Sequence, residues 1–139
     1  MNKVIIDTNV IVSSLIQRSY PYKIIFDLFL EDKISLCISP SIMFEYYTVL
    51  ERPKFTQFQE FSIKAKTVLA NIEIKSVCYQ PDVVLDVLSD KGDNKFLELA
   101  DACEADFLIT GNTNDFSFHC YKQTRIVTPR DYWENYKPR

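Results

Sequence analysis

Short apolar segments alternate with helix-like segments along this 139-residue chain, and this alternation restricts the fold more than any other feature. Strands are predicted where apolar, β-branched residues cluster, at residues 3–6, 34–38, 73–78, 107–110 and 125–128. Helices are predicted where apolar residues recur every three or four positions, at residues 22–31, 40–51, 58–71 and 93–104, with a final turn after Pro129. Since strands separated by helices require right-handed crossovers, we predict an α/β fold, a three-layer α/β/α sandwich with a mainly parallel central sheet.

The size and composition of the chain fit one compact domain over residues 1–139. With 47% hydrophobic and 14% aromatic residues, the chain is neither disordered nor large enough for a second domain. No apolar run approaches the roughly 20 residues that span a bilayer, and the acid Asp7 interrupts the first apolar run, unlike a signal peptide. We therefore expect a cytoplasmic protein without a membrane partner.

The four cysteines indicate a reducing compartment rather than a disulfide framework. Cys37, Cys78, Cys103 and Cys120 are widely spaced, no C-x-x-C pair occurs, and His119 is the single histidine. We expect free thiols in or near the core. The formal net charge of −3 also argues against nonspecific coating of nucleic acid, but not against an enzyme with an acidic pocket.

Four carboxylates occupy positions where an α/β fold places its ligands. Asp7 directly follows the first predicted strand, and Asp115 follows the strand at 107–110 after a short turn. Glu45 lies in line with apolar residues of its helix and should face inward, and Asp93 stands at the start of another helix. If the first strand neighbours the strand at 107–110, these acids converge in one crevice.

Each acid also has a structural interpretation. Asp7 and Asp93 are typical helix N-caps, and a partly buried Glu45 needs either a nearby lysine or arginine or a metal ion to remain charged. Together, however, four converging carboxylates repel one another unless a cation is bound. Hard ions such as Mg²⁺ prefer oxygen ligands and activate water for attack on phosphorus, so the set predicts a metal site for phosphate chemistry.

The motifs of this chain are similar to those of the PIN domain family, especially its VapC-like toxins. The resemblance rests on DTNV at residues 7–10, Ser39-Pro40 before Glu45, DNKFLELA at residues 93–100, and ADFLITGN at residues 105–112 before Asp115-Phe116. These motifs stand in the family's order and span almost the whole chain, which makes the resemblance far more specific than any single acid.

The resemblance implies a Mg²⁺- or Mn²⁺-dependent ribonuclease, often the toxin of a toxin–antitoxin pair, which forms a homodimer and is neutralised by a small antitoxin protein. Asp7, Glu45, Asp93 and Asp115 match the family's catalytic and metal-binding acids. Polar residues that match positions near this centre are Asn9, Thr110 and Asn112. Asn112 stands where many relatives have aspartate, so it keeps an oxygen ligand but loses a charge.

Other functions find less support in the sequence. A phosphoacceptor receiver domain needs adjacent acids after the first strand, whereas Asp7 follows Ile6, and no phosphate-binding loop or dinucleotide fingerprint occurs. The alternative that stays open is a catalytically silent PIN-fold module that binds RNA or protein, since a fold does not fix a function.

Overall fold

The computed structural model describes residues 1–86, 88, 91–111 and 119–139. Six strands form the central sheet: β1 (Lys3–Ile6), β2 (Ser35–Ile38), β3 (Val77–Cys78), β4 (Phe107–Ile109), β5 (Cys120–Tyr121) and β6 (Thr124–Val127). The helices are α1 (Thr8–Ile16), α2 (Tyr20–Tyr22, continued as a π-helix over Lys23–Phe29), α3 (Pro40–Leu50), α4 (Pro53–Thr56), α5 (Gln59–Lys75), α6 (Asn94–Cys103) and α7 (Pro129–Asp131, continued as a π-helix over Tyr132–Tyr136). A 3-10 turn, Lys91–Asp93, precedes α6.

The strand order is β3-β2-β1-β4-β6-β5, and every neighbouring pair is parallel except β5 and β6. β2 and β3 lie in turn on one side of β1, and β4 lies on the other side of β1. Helices cover the sheet, and the fold is the predicted three-layer α/β/α sandwich. The point where strand order reverses therefore lies between β1 and β4, where open α/β sheets bind ligands beyond the carboxyl ends of their strands.

Most of the predicted elements are confirmed within a few residues. The predicted strand at 73–78 is wrong over its first half, because residues 73–75 form the last turn of α5 and only Val77–Cys78 pairs with β2. Three elements were not predicted as such: α1, α4 and the short antiparallel strand β5. Each is short or weakly periodic, and its conformation depends on the neighbours against which it packs.

The core consists of aliphatic and aromatic side chains between the sheet and the helices on its two faces. The side chains of Val4, Ile5 and Ile6 in β1 are completely buried, as expected for a central parallel strand. Among the described helices, none is both long and apolar enough to cross a membrane. All four cysteines are free thiols; Cys37 and Cys103 are buried as predicted, whereas Cys78 and Cys120 are exposed, which corrects the expectation for these two.

Candidate functional site

Asp7 lies at the switch point of the sheet, where β1 ends and α1 begins. Its backbone N–H donates a hydrogen bond to the carbonyl oxygen of Ile109 at the end of β4, over 2.9 Å. The hydroxyl of Thr110 donates a hydrogen bond to the Asp7 carboxylate, with an oxygen–oxygen distance of 2.8 Å. The pairing of β1 with β4 thus places Thr110 against Asp7, as the sequence predicts for two strands that end at one edge.

The Asp7 carboxylate is buried, with only 6% of the residue exposed. Burial raises the pKa of Asp7 because a charged carboxylate is poorly solvated there, and the negative charge of Glu45 raises it further. The Thr110 hydroxyl and the backbone amides of Asn9 and Thr8 oppose this rise in the pKa. Asp7 occupies the N-cap position of α1, where its carboxylate faces the backbone amides of Thr8 and Asn9 without a capping hydrogen bond of ordinary geometry.

Helix α3 brings Glu45 to Asp7. The helix begins as predicted, with Ser39 as N-cap and Pro40 in the first turn, and the Ser39 hydroxyl accepts a hydrogen bond from the N–H of Ile42 at 3.3 Å. One residue after Glu45, the fully buried hydroxyl of Tyr46 donates a hydrogen bond to the carbonyl oxygen of Ile6, directly before Asp7. This bond fixes α3 against the carboxyl end of β1.

Both carboxylate oxygens of Glu45 have partners. The Thr8 hydroxyl donates a hydrogen bond to Oε2, and the Lys95 ammonium forms an ion pair with Oε1. The side chains of Glu45 and Lys95 are only 26% and 25% exposed, respectively. Glu45 therefore faces inward as predicted. Of the two partners that the sequence left open, a basic side chain or a metal ion, the structure shows the basic side chain, Lys95.

The beginning of α6 brings Lys95 to Glu45 of α3, and Asp93 directly precedes this helix. Asp93 is the last residue of the 3-10 turn and has a helical backbone conformation, so its side chain does not form the predicted N-cap hydrogen bond. The adjoining loop is held instead by Asn94, whose Oδ1 accepts a hydrogen bond from the N–H of Leu88 at 3.1 Å. Asp93 lies two residues before Lys95, at the end of α6 that reaches Glu45.

The structure tests only part of the predicted site. Asp115 and Asn112 lie outside the described residues, and Asn9 is exposed. Within the described part of the chain, no group of three histidine, cysteine or acidic side chains is arranged to hold a metal ion. The negative charges of Asp7 and Glu45 interact, and the convergence of all four acids stays a prediction.

The oxygen donors in this crevice suit a hard divalent cation. Carboxylates and hydroxyls are the ligands that Mg²⁺ and Mn²⁺ prefer. Among the described residues, no lysine or arginine forms an ion pair with Asp7, and burial raises the pKa of its carboxyl group. A bound cation would stabilise the ionised form of Asp7, so the residues fit the metal that the resemblance implies.

Thr8, Tyr46 and Lys95 were not singled out from the sequence as residues of the site. The available signals were weak. Thr8 follows Asp7 directly, and Lys95 stands one helical position beyond Asn94 in the DNKF motif. Their partners lie on another helix, and a contact between distant segments leaves no trace in local spacing.

The aromatic residues of α3 and of the segment at 55–61 differ in burial. Tyr46 belongs to the core, whereas Phe44 is 74% exposed. In the segment at 55–61, the rings of Phe55 and Phe61 stack with centroids 4.9 Å apart, and Phe61 is buried. Phe58 is exposed and lines a groove of about 550 Å³.

Comparison with known proteins indicates the family of the chain. A family model described as PIN domain matches residues 3–114, which include β1 to β4 and the residues around Asp7, Glu45 and Asp93. The chain is also 31% identical over 144 residues to an uncharacterized protein of Methanocaldococcus jannaschii, MJ1680; the match covers 97% of this chain and 92% of that protein.

Proposed function

Because this chain belongs to the PIN domain family, whose members are generally nucleases, we propose that it is a Mg²⁺- or Mn²⁺-dependent endoribonuclease that hydrolyses phosphodiester bonds in RNA. The main observation in support is the buried Asp7 carboxylate at the switch point of the sheet, with Glu45 beside it and a raised pKa. Such a carboxylate is costly for the fold, and a role in binding a cation accounts for its presence.

Each residue of the crevice has a distinct part in this proposal. Asp7 and Glu45 would hold the metal ion, with Asp93 and Asp115 as further ligands, and Thr110 orients the Asp7 carboxylate through its hydrogen bond. When bound, the ion supplies an activated water and neutralises charge on the phosphate oxygens. The completely buried Tyr46 fixes α3 to the end of β1 through its hydrogen bond to Ile6 and so keeps Glu45 beside Asp7.

A chelation experiment tests the metal dependence. We expect EDTA to abolish cleavage of a fluorescent single-stranded RNA and Mn²⁺ to restore it. Since a ligand that binds only the folded state stabilises it, Mn²⁺ at about 100 times its Kd should stabilise the protein by about 2.7 kcal/mol, measured as a higher Tm. Ca²⁺, which prefers more ligands and longer bonds, serves as the control ion. Cleavage that persists in EDTA would contradict the proposal.

The biological role in this proposal is that of a cytoplasmic toxin, with a homodimer as the functional state and a small antitoxin protein as the inhibitor. The support is the similarity of the motifs to VapC-like proteins. Light scattering coupled to size-exclusion chromatography should give about twice the 16.3 kDa mass of the chain. A mass of one chain at micromolar concentration would contradict the dimer but not the nuclease activity.

A catalytically silent PIN-fold binding module is the second candidate. One observation favours it: Lys95 already balances the charge of Glu45 without a metal ion. The two candidates differ in one measurement, because a silent module binds RNA with the same affinity in EDTA and in Mn²⁺ and leaves the RNA intact.

A further inference from the structure

The ion pair between Lys95 and Glu45 joins the beginning of α6 to the middle of α3. The ammonium contacts Oε1 of Glu45 while the Thr8 hydroxyl occupies Oε2, so this carboxylate has a polar partner on each oxygen. Both members of the pair are about three-quarters buried, which sets it apart from the exposed pairs Lys64–Glu60 and Arg130–Glu134. A contact of this kind is less screened by solvent than a surface pair.

The charges in the crevice are unevenly matched. Asp7 and Glu45 bring two negative charges and Lys95 brings one positive charge, so the described pair of acids is only half compensated. Each oxygen of Glu45 already has a polar partner, so a divalent cation that binds this carboxylate comes close to the Lys95 ammonium, and two cations at one carboxylate repel each other. The lysine and the metal ion therefore compete for Glu45.

The two partners differ in how freely they can move. Glu45 is held by Thr8 and by the hydrogen bond of the neighbouring Tyr46 to Ile6. Lys95 carries its ammonium on a flexible four-carbon stem near the start of its helix, and such a side chain swings away at little cost. When the pair opens, Lys95 moves and Glu45 stays.

We propose that the Lys95 ammonium is an internal counter-ion that neutralises Glu45 in the metal-free protein and is exchanged for the divalent cation when the site is loaded. This inference rests on the proposed function and assigns Lys95 the role of a counter-ion. In the metal-free site, Lys95 neutralises one of the two negative charges of Asp7 and Glu45. Lys95 also weakens metal binding, because the ion must displace the ammonium from Glu45.

Titration of Mn²⁺ into the full-length protein, followed by calorimetry, measures this competition without reference to cleavage. Lys95→Met should bind Mn²⁺ about tenfold more tightly than wild type, equivalent to about 1.4 kcal/mol, and should have a lower Tm in EDTA because Glu45 loses its partner. Lys95→Arg keeps the charge and should bind Mn²⁺ as wild type does.

The matched control is Lys122→Met, which removes an equal charge from another ion pair, that of Lys122 with Asp101 beside β5. Its Mn²⁺ affinity should equal that of wild type. A double-mutant cycle adds specificity: in a Glu45→Gln background, Lys95→Met should no longer change the affinity, since the shared carboxylate is absent.

The outcomes separate the two proposals. Equal Mn²⁺ affinities for wild type, Lys95→Met and Lys122→Met would overturn the exchange and leave the proposed function in place. A wild-type protein that binds no Mn²⁺ would overturn both. A tenfold gain in Mn²⁺ affinity that persists in the Glu45→Gln background would also overturn the exchange. The gain would then come from the loss of a positive charge and not from the release of Glu45.

Discussion

Asp7→Asn is expected to lower RNA cleavage by at least about a hundredfold, because the amide keeps the shape of the side chain but loses the charge that binds the metal ion. Asp93→Asn should have an effect of the same kind. The fold should remain intact, since the Thr110 hydroxyl can still donate its hydrogen bond to the amide oxygen of the new side chain. Initial rates on a fluorescent RNA, with circular dichroism on the same samples, measure both properties.

Asp7→Asn should also change how stability depends on pH. Burial raises the folded-state pKa of Asp7 above its unfolded value, so ionisation destabilises the fold. Below the unfolded-state pKa of Asp7, the contribution of the protonated carboxyl group to stability is fully present. This contribution is lost as the pH rises through the folded-state pKa of Asp7. In EDTA at pH 7 the variant should therefore melt above wild type, by about 2–5 °C for a change near 1 kcal/mol, and this difference should vanish near pH 3.

In Mn²⁺ wild type should melt above Asp7→Asn, because the ion stabilises wild type and leaves the variant largely unaffected. The control is Asp82→Asn, which changes an exposed aspartate and should match wild type in cleavage and in Tm. Equal cleavage by wild type, Asp7→Asn and Asp93→Asn would exclude these acids as catalytic residues and favour the silent binding module.

Tyr46→Ala is expected to cost about 3–5 kcal/mol of folding free energy, the range measured when a buried aromatic side chain is truncated. Tyr46 is completely buried beneath the site, and its hydroxyl satisfies the carbonyl oxygen of Ile6. Since small domains are stable by only about 5–15 kcal/mol, the variant should unfold at a much lower urea concentration. Urea denaturation followed by tryptophan fluorescence measures this shift.

Two variants of the same helix separate packing from hydrogen bonding. Phe44→Ala removes an aromatic ring that is 74% exposed and should change stability by less than about 0.5 kcal/mol. Tyr46→Phe keeps the ring and should cost about 1–2 kcal/mol for the lost hydrogen bond. If Tyr46→Ala and Phe44→Ala destabilise the protein equally, the assigned position of α3 against β1 is wrong.

Much of the fold could be predicted from the sequence because its strong signals are local. The cap formed by Ser39 and Pro40 fixed the start of α3, and continuous apolar runs identified β1 and β4. The predicted boundary between α5 and β3 was less accurate, because residues 73–75 alternate as in a strand but belong to the last turn of a helix of 17 residues. There, the helical hydrogen bonds continue as far as the N–H of Ser76, which donates to the carbonyl oxygen of Ile72, although Ile74 itself is exposed.

The candidate site was predictable to the extent that chain position determines it. Asp7 follows the strand that ends at the switch point, and Thr110 follows the strand beside it, so their contact is a consequence of parallel pairing. The partner of Glu45 could not be chosen in the same way. The sequence indicated that this carboxylate needs a cation, and either a metal ion or a basic side chain satisfies that need.

By itself, the sequence determined the alternation of strands and helices, the inward direction of Glu45 and the position of acids at strand ends, because periodicity and capping act between near neighbours. Only the tertiary structure decided that Lys95 pairs with Glu45, that Tyr46 fixes α3 to β1, and that Asp7 is buried enough for its pKa to rise. These properties depend on distances between segments far apart in the chain, and solvation and charge act through such distances rather than through sequence order.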